Sequence, residues 1–187
     1  MTGTASAAQV EPDCPPAGAS IVCRQAGSAA ALADHYAIRH QVFVEEQSVF
    51  VSSDLDEHDQ DDATIRLIGY CDGVAAGSVR IFEFDRVTRL WQGDRLAVLP
   101  AFRVRGLGAP LVRCAVATAA VRGGTRMIAH IQLANVRFFG RLGWNPVGDI
   151  ESYAGLPHQP MSIALPTPEQ GVALTRRLAA GVSVGGL

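Results

Sequence analysis

The chain has 187 residues, 48% of them hydrophobic, which is enough for one domain with a real core and excludes a disordered protein. A formal net charge of −2 argues against nucleic-acid binding by charge alone. All 16 basic residues are arginine, so Schiff-base chemistry on a lysine is excluded.

Residues 1–19, rich in Ala, Pro, Gly and Thr, read as a disordered tail. Ile21 to Arg24 read as a first strand. Ser28 is a suitable N-cap for a helix from Ala29 to about Phe43, with Leu32, Tyr36, Arg39 and Phe43 on one face. That helix ends in Arg39-x-x-Val42-Phe43-Val44-x-Glu46-Gln47. An acidic loop follows, with carboxylates at 54, 56, 57, 59, 61 and 62. It reads either as a solvated charged loop or as an electronegative rim that attracts a protonated amine. Its spacing lacks the glycine and the distant glutamate of a calcium loop, so no metal is expected.

Ile65 to Cys71 and Val74 to Phe84 read as strands around Asp72-Gly73, a pair suited to a type I′ hairpin. Arg80 lies in the apolar run of the second strand and reads as paired with a ligand or a carboxylate. Thr88 to Val98 form the next strand, which Pro100 ends because proline cannot donate to a ladder. The loop Arg103-Val104-Arg105-Gly106-Leu107-Gly108 follows, and Ala109 and Pro110 open a helix with Leu107, Leu111, Ala115 and Ala119 on its apolar face. Glycines let backbone amides approach a ligand closely. The helix start adds free N–H groups and the positive end of its dipole, an anion site suited to a pyrophosphate. Arg103 and Arg105 add permanent charge.

Arg126 to Gln132 return to the sheet as a strand that puts His130 and Gln132 on one side. A short helix from Asn135 and closing strands at 144–148 and 161–165 follow, then an extension over 167–187 with one helix from Glu169 to Ala179 and no readable function. Cys14, Cys23, Cys71 and Cys114 form no C-x-x-C pair, fit neither zinc nor a disulfide framework, and read as buried filler. No basic-then-apolar leader opens the chain and no apolar run could span a bilayer, so a cytoplasmic protein without membrane or nucleic-acid partners is expected.

Arg103-x-x-Gly106-x-Gly108-Ala109, with a Leu-Ala-Val strand before it, an Ala-rich helix after it and Asn135-Val-Arg-Phe-Phe-Gly-Arg-Leu-Gly-Trp144 further on, resembles the GNAT-type N-acetyltransferases. The block at 39–47 resembles the ElaA-type branch and, in part, the acyl-homoserine-lactone synthases. The resemblance covers about residues 20–166 and implies one α/β (α+β type) domain, a GNAT-like mixed, mostly antiparallel sheet flanked by helices.

It further implies a CoA-dependent N-acetyltransferase. Acetyl-CoA, a co-substrate, would give its acetyl group to a primary amine of a small molecule or peptide by direct attack. A homodimer is common among similar proteins. The donor would lie on Leu96, Ala97, Val98, Arg103, Val104, Arg105, Gly106, Leu107, Gly108, Ala109, Asn135 and Phe139, with the Val98 N–H facing the thioester carbonyl. Arg39, Phe43, Asp56 and Arg80 would bind substrate. His130 and Glu46 lead the candidates for the catalytic base, ahead of Glu57, His58 and His158. Phe139 departs from the family's tyrosine and has no proton to give. Either the thiolate leaves unaided, as a thiol pKa of about 8.5 allows, or Tyr153 or a water substitutes. The rivals are a synthase-like enzyme with a longer acyl donor and a non-catalytic acyl-CoA-binding protein.

Overall fold

Alternating apolar residues build one sheet. In the computed structural model, which describes residues 20–153 and 155–183, its strands are β1 (Ser20–Gln25), β2 (Ile65–Cys71), β3 (Val74–Asp85), β4 (Leu90–Val98), β5 (Arg126–Gln132), β6 (Asn145–Pro146), β7 (Glu151–Tyr153), β8 (Leu156–Ala164) and β9 (Val182–Ser183). The order is β6-β8-β5-β4-β3-β2-β1-β9, with β7 paired to β8. Among the described strands only β4 and β5 run parallel, which gives the mixed, mostly antiparallel sheet the sequence implied. The 1–19 tail, with Cys14, lies outside the described residues.

Helices cover both faces: α1 (Ala29–His40), α2 (Pro100–Arg103), α3 (Gly108–Val121), α4 (Val136–Arg141) and α5 (Pro168–Ala180). Neighbouring residues of β2 show the division. Leu67 packs in the cluster of Leu107 and Leu111 from the start of α3, while Ile68 packs with Ile38, Val42 and Phe43 from α1 and the turn after it. Gly77 of β3 lets α3 sit close, since a Cβ there would come 2.6 Å from Leu111 Cδ1.

Ser28 caps α1, accepting from the Ala31 N–H at 3.2 Å. Regular α-geometry stops at His40, earlier than expected, and widens into a π turn over 41–46 whose Gln47 N–H reaches Val42 O at 2.9 Å. Asp72 and Gly73 both have positive φ (51° and 83°), as a type I′ turn requires. Cys23, Cys71 and Cys114 are free and buried; burial pushes the Cys114 thiol up to about 11 and the Cys23 thiol higher still, so neither is a nucleophile near neutral pH.

The helix after residue 166 forms as expected, whereas α2, β7 and β9 were not foreseen. Residues beyond 166 are integral: α5 lies on α3, Leu178 is in the core, and β9 pairs with β1. The cause is α3, whose small residues let Gly171 approach so closely that a Cβ would come 2.8 Å from Ala117 O. The short β7 also carries too few residues for a period-2 signal.

One irregularity opens the sheet. β5 pairs with β4 only from Leu90↔Arg126 to Gln92↔Ile128. Beyond that, β4 carries a bulge: Arg80 pairs with Asp94 but Ser78 with Ala97, so Arg95 and Leu96 together face Val79. Arg95 takes φ 50°, a left-handed conformation that costs a non-glycine residue about 1–3 kcal/mol. No helix of the described residues is long and apolar enough to cross a membrane, and among them no group of three His, Cys, Asp or Glu could hold a metal.

Candidate active site

The wedge between β4 and β5 holds a cavity of about 140 Å³. Val112 and Ala115 of α3 and Phe139 of α4 line it from one face, and Phe43, Gln47 and Phe50 from the other. It therefore passes through the sheet, and two reactants can meet in it from opposite sides.

The arrangement on the α3 side follows from backbone pairing. The Leu99 N–H donates to Ala76 O at 2.9 Å, so by antiparallel alternation the peptide groups of Val98 face away from β3, towards the open wedge. Arg103 Nε donates to Val98 O at 3.0 Å from that side. Gly106 supplies the positive φ (78°) that turns the chain into α3. No side chain caps α3, and Pro110 has no N–H, so the amides of Leu107, Gly108 and Ala109 begin the helix. Val104 is exposed at the turn, while Ala97 and Leu107 are buried, so these three offer backbone only. Arg103 holds Glu46 bidentately, at 2.7 and 2.5 Å. Arg105 holds Asp72 at 2.5 Å. Leu96 and Asn135 line the cavity, and Asn135 does not cap α4.

The residues expected to bind substrate divide. Phe43 lines the cavity. Arg39, Arg80 and Asp56 are absorbed into a buried ion network. Arg39 binds Asp54 at 2.7 Å and Asp59 at 2.6 and 2.9 Å. Arg80 binds Asp56 at 2.5 and 2.7 Å, Asp59 at 2.8 Å and Asp94 at 2.8 and 2.6 Å. Arg95 joins it through Asp56 at 3.0 Å and Asp54 at 3.3 Å, which holds its unusual backbone in place. Much of the acidic loop is thus folded onto arginines rather than forming an open rim. Burial alone would push Asp59 up, but hydrogen bonds from Arg39 and the charges of Arg39 and Arg80 outweigh it and hold the carboxyl far below the usual range. Of the network, Asp94 and Arg95 reach the cavity wall.

The candidate bases separate clearly. His130 lines the cavity, half-buried, with its ring stacked on Tyr153 (4.8 Å, 9°). Tyr153 also lines it, accepts from Arg95 Nη1 at 3.5 Å, and meets His158 edge-on. His158 is buried, its Nδ1 2.9 Å from Leu156 O. Glu46 sits outside the cavity lining, and its hydrogen bond from Arg103 holds its carboxyl below the usual range. Glu57 and His58 line a different groove, where His58 stacks on Phe82 at 3.8 Å. Phe139 is core, edge-on to Trp144 at 5.4 Å. Sequence reading missed Asp54, Asp59 and Asp94 as partners of Arg39 and Arg80, the cavity residue Gln47, and Glu151, whose Oε1 lies 2.5 Å from His130 Nδ1. The two buried arginines were the available signal for the carboxylates.

A split sheet with an anion-ready helix start beside the split defines an acyltransferase architecture. The model of the Acetyltransferase (GNAT) family matches residues 29–144, and the chain belongs to that family. Among curated relatives, the uncharacterized N-acetyltransferase YjcF of Bacillus subtilis (strain 168) is 29% identical over 131 residues, 70% of this chain and 90% of the relative. Among solved structures, ElaA of Escherichia coli matches with TM-score 0.66 at 21% identity, covering 77% of this chain and 98% of that one. The CoA-dependent acyl-homoserine lactone synthase BjaI matches with TM-score 0.63 at 18% identity, covering 86% and 90%. Both structures share the fold with this chain.

Proposed function

We propose that this acyltransferase moves an acetyl group from acetyl-CoA to a primary amine. The observation that most supports this is the outward-facing Val98 peptide beside the uncapped start of α3. The amides of Leu107, Gly108 and Ala109 suit a pyrophosphate. Arg103 and Arg105 already hold carboxylates, and a phosphate makes the same charge-assisted contacts. The Val98 N–H meets the thioester oxygen where negative charge develops.

The amine enters on the Phe43 and Phe50 side and gives a proton to His130. Its nitrogen bonds to the carbonyl carbon as the carbon–sulfur bond breaks. The sulfur leaves as thiolate or takes a proton from the Tyr153 hydroxyl, which stands in the cavity where Phe139 cannot serve. The products are an amide and free CoA thiol.

One observation favours a second reading: Val79, Val112, Ala115 and Met127 give the cavity an apolar wall that suits methylenes, as a longer acyl donor would need. Thiol release measured with acetyl-, butyryl- and octanoyl-CoA over a panel of amines decides between them. Amine-dependent release fastest with acetyl-CoA supports the first reading. A tenfold preference for octanoyl-CoA establishes the second, and tight donor binding without release for any amine overturns both.

A further inference from the structure

We propose that Glu151 is the positioning residue of the catalytic base, setting the tautomer of His130. This rests on the reading of His130 as the base, and the test below separates the two. The His130 Nδ1 is buried and has no partner in good hydrogen-bond geometry. The one charged group against it is Glu151, with Oε1 2.5 Å away but off the line of the ring N–H. A buried ring nitrogen beside a carboxylate carries the proton, because a bare lone pair there would face negative charge. Nδ1–H towards Glu151 leaves the lone pair on Nε2, the nitrogen that can accept a proton in the cavity His130 lines.

The strand arrangement explains how the contact is made. Glu151 and Tyr153 are two apart on β7 and so share one face. From that face Tyr153 stacks flat on the imidazole while Glu151 reaches its Nδ1 edge. Tyr153 is itself held edge-on by His158 of β8 and by Arg95 of β4. Among the described ion pairs, Glu151 is the charged group in contact with the ring, while Asp94 and Arg95 line the same cavity.

Glu151→Gln keeps an acceptor for Nδ1–H but removes the charge; Glu151→Ala removes both. The conservative variant Glu151→Gln therefore keeps the proton on Nδ1. Its plateau kcat stays within a few-fold of the parent. Glu151→Ala lowers plateau kcat about tenfold or more, with donor KM unchanged. The nitrogen-15 shifts of the His130 ring read the tautomer without any turnover, with Nδ1–H kept in the parent and in Glu151→Gln and lost in Glu151→Ala, and thermal melts check that the variants fold. If His130→Gln leaves kcat unchanged, the base reading fails and this proposal with it. If His130→Gln abolishes turnover while Glu151→Ala keeps the parent's kcat and ring tautomer, only the role of Glu151 is overturned.

Discussion

Two clusters of polar side chains flank the bulged half of β4, and they are built in opposite ways. On one side three arginines and four aspartates saturate one another: Arg39, Arg80 and Arg95 with Asp54, Asp56, Asp59 and Asp94. On the other side His130, Tyr153 and His158 are held mainly by ring contacts, and a buried ring nitrogen is left without a hydrogen bond. The first cluster consists of groups whose charge is fixed at neutral pH. The second is made of rings that stack on one another. Saturated donors have nothing left to offer a ligand, so the ion network shapes β4, while the rings of the second cluster line the cavity.

The sharpest way to break this contrast is to remove one member of the saturated cluster. Arg80 is fully buried and touches three carboxylates. Arg80→Met leaves Asp56, Asp59 and Asp94 short of a counter-charge in a buried place, and is expected to destabilise the fold by about 3–5 kcal/mol. Urea unfolding of variant and parent measures it; a loss under about 1 kcal/mol would show that the network is solvated. The same network makes stability acid-sensitive. The carboxyls of Asp56 and Asp59 are held low in the folded state, by arginine contacts that outweigh burial. Their contribution is therefore complete above the ordinary carboxylate range and is lost progressively as pH falls below about 4.

His35, behind this network on α1, produces a second acid response at higher pH. Burial pushes its pKa down to about 4, against the smaller upward pull of its bond to Leu67 O. Its Nδ1 lies 3.1 Å from that oxygen, and Nε2 is buried without a partner. Between about pH 6.5 and 4 the unfolded chain binds this proton and the folded chain does not, so stability rises with pH there and is lost on acidification. The loss is on the order of 2–3 kcal/mol by pH 4. His35→Gln is expected to flatten stability over that window, read from urea midpoints at pH 7 and pH 5. An unchanged slope would place the acid response elsewhere.

Legibility in the sequence tracks how local each arrangement is. The strand, loop and helix from Leu96 to Val121 are contiguous, so residue order alone exposed this strand–turn–helix unit. Asp72-Gly73 and the Ser28 cap are likewise complete within a few residues. Arg80 announced that it needed a partner, because an arginine rarely sits in a buried strand alone. Which carboxylates answered depended on a loop 21–24 residues earlier in the chain. The bulge at Arg95 has no local signal, since the residue usually found in such a conformation is glycine. Glu151 meets His130 only because β7 folds back on β8 and β8 on β5, two pairings that no single window contains.

The smallest expected effect tests whether an exposed carboxylate belongs to either cluster. A base working near neutral pH needs a pKa near 7. Glu46 is shifted the other way by Arg103, with both groups partly in solvent. Glu46→Gln should change stability by less than about 1 kcal/mol, as befits an exposed ion pair. Its pH profile should match the parent, because on the proposed reading Glu46 takes no proton from the amine. Donor KM should fall by up to about threefold, since Arg103 no longer divides its bidentate contacts between Glu46 and a phosphate. A fall in kcat of about 100-fold, with the rise in kcat/KM displaced, would instead make Glu46 the base. Proton transfer would then belong to the charge-paired side, and saturation would no longer distinguish the structural cluster from the reactive one.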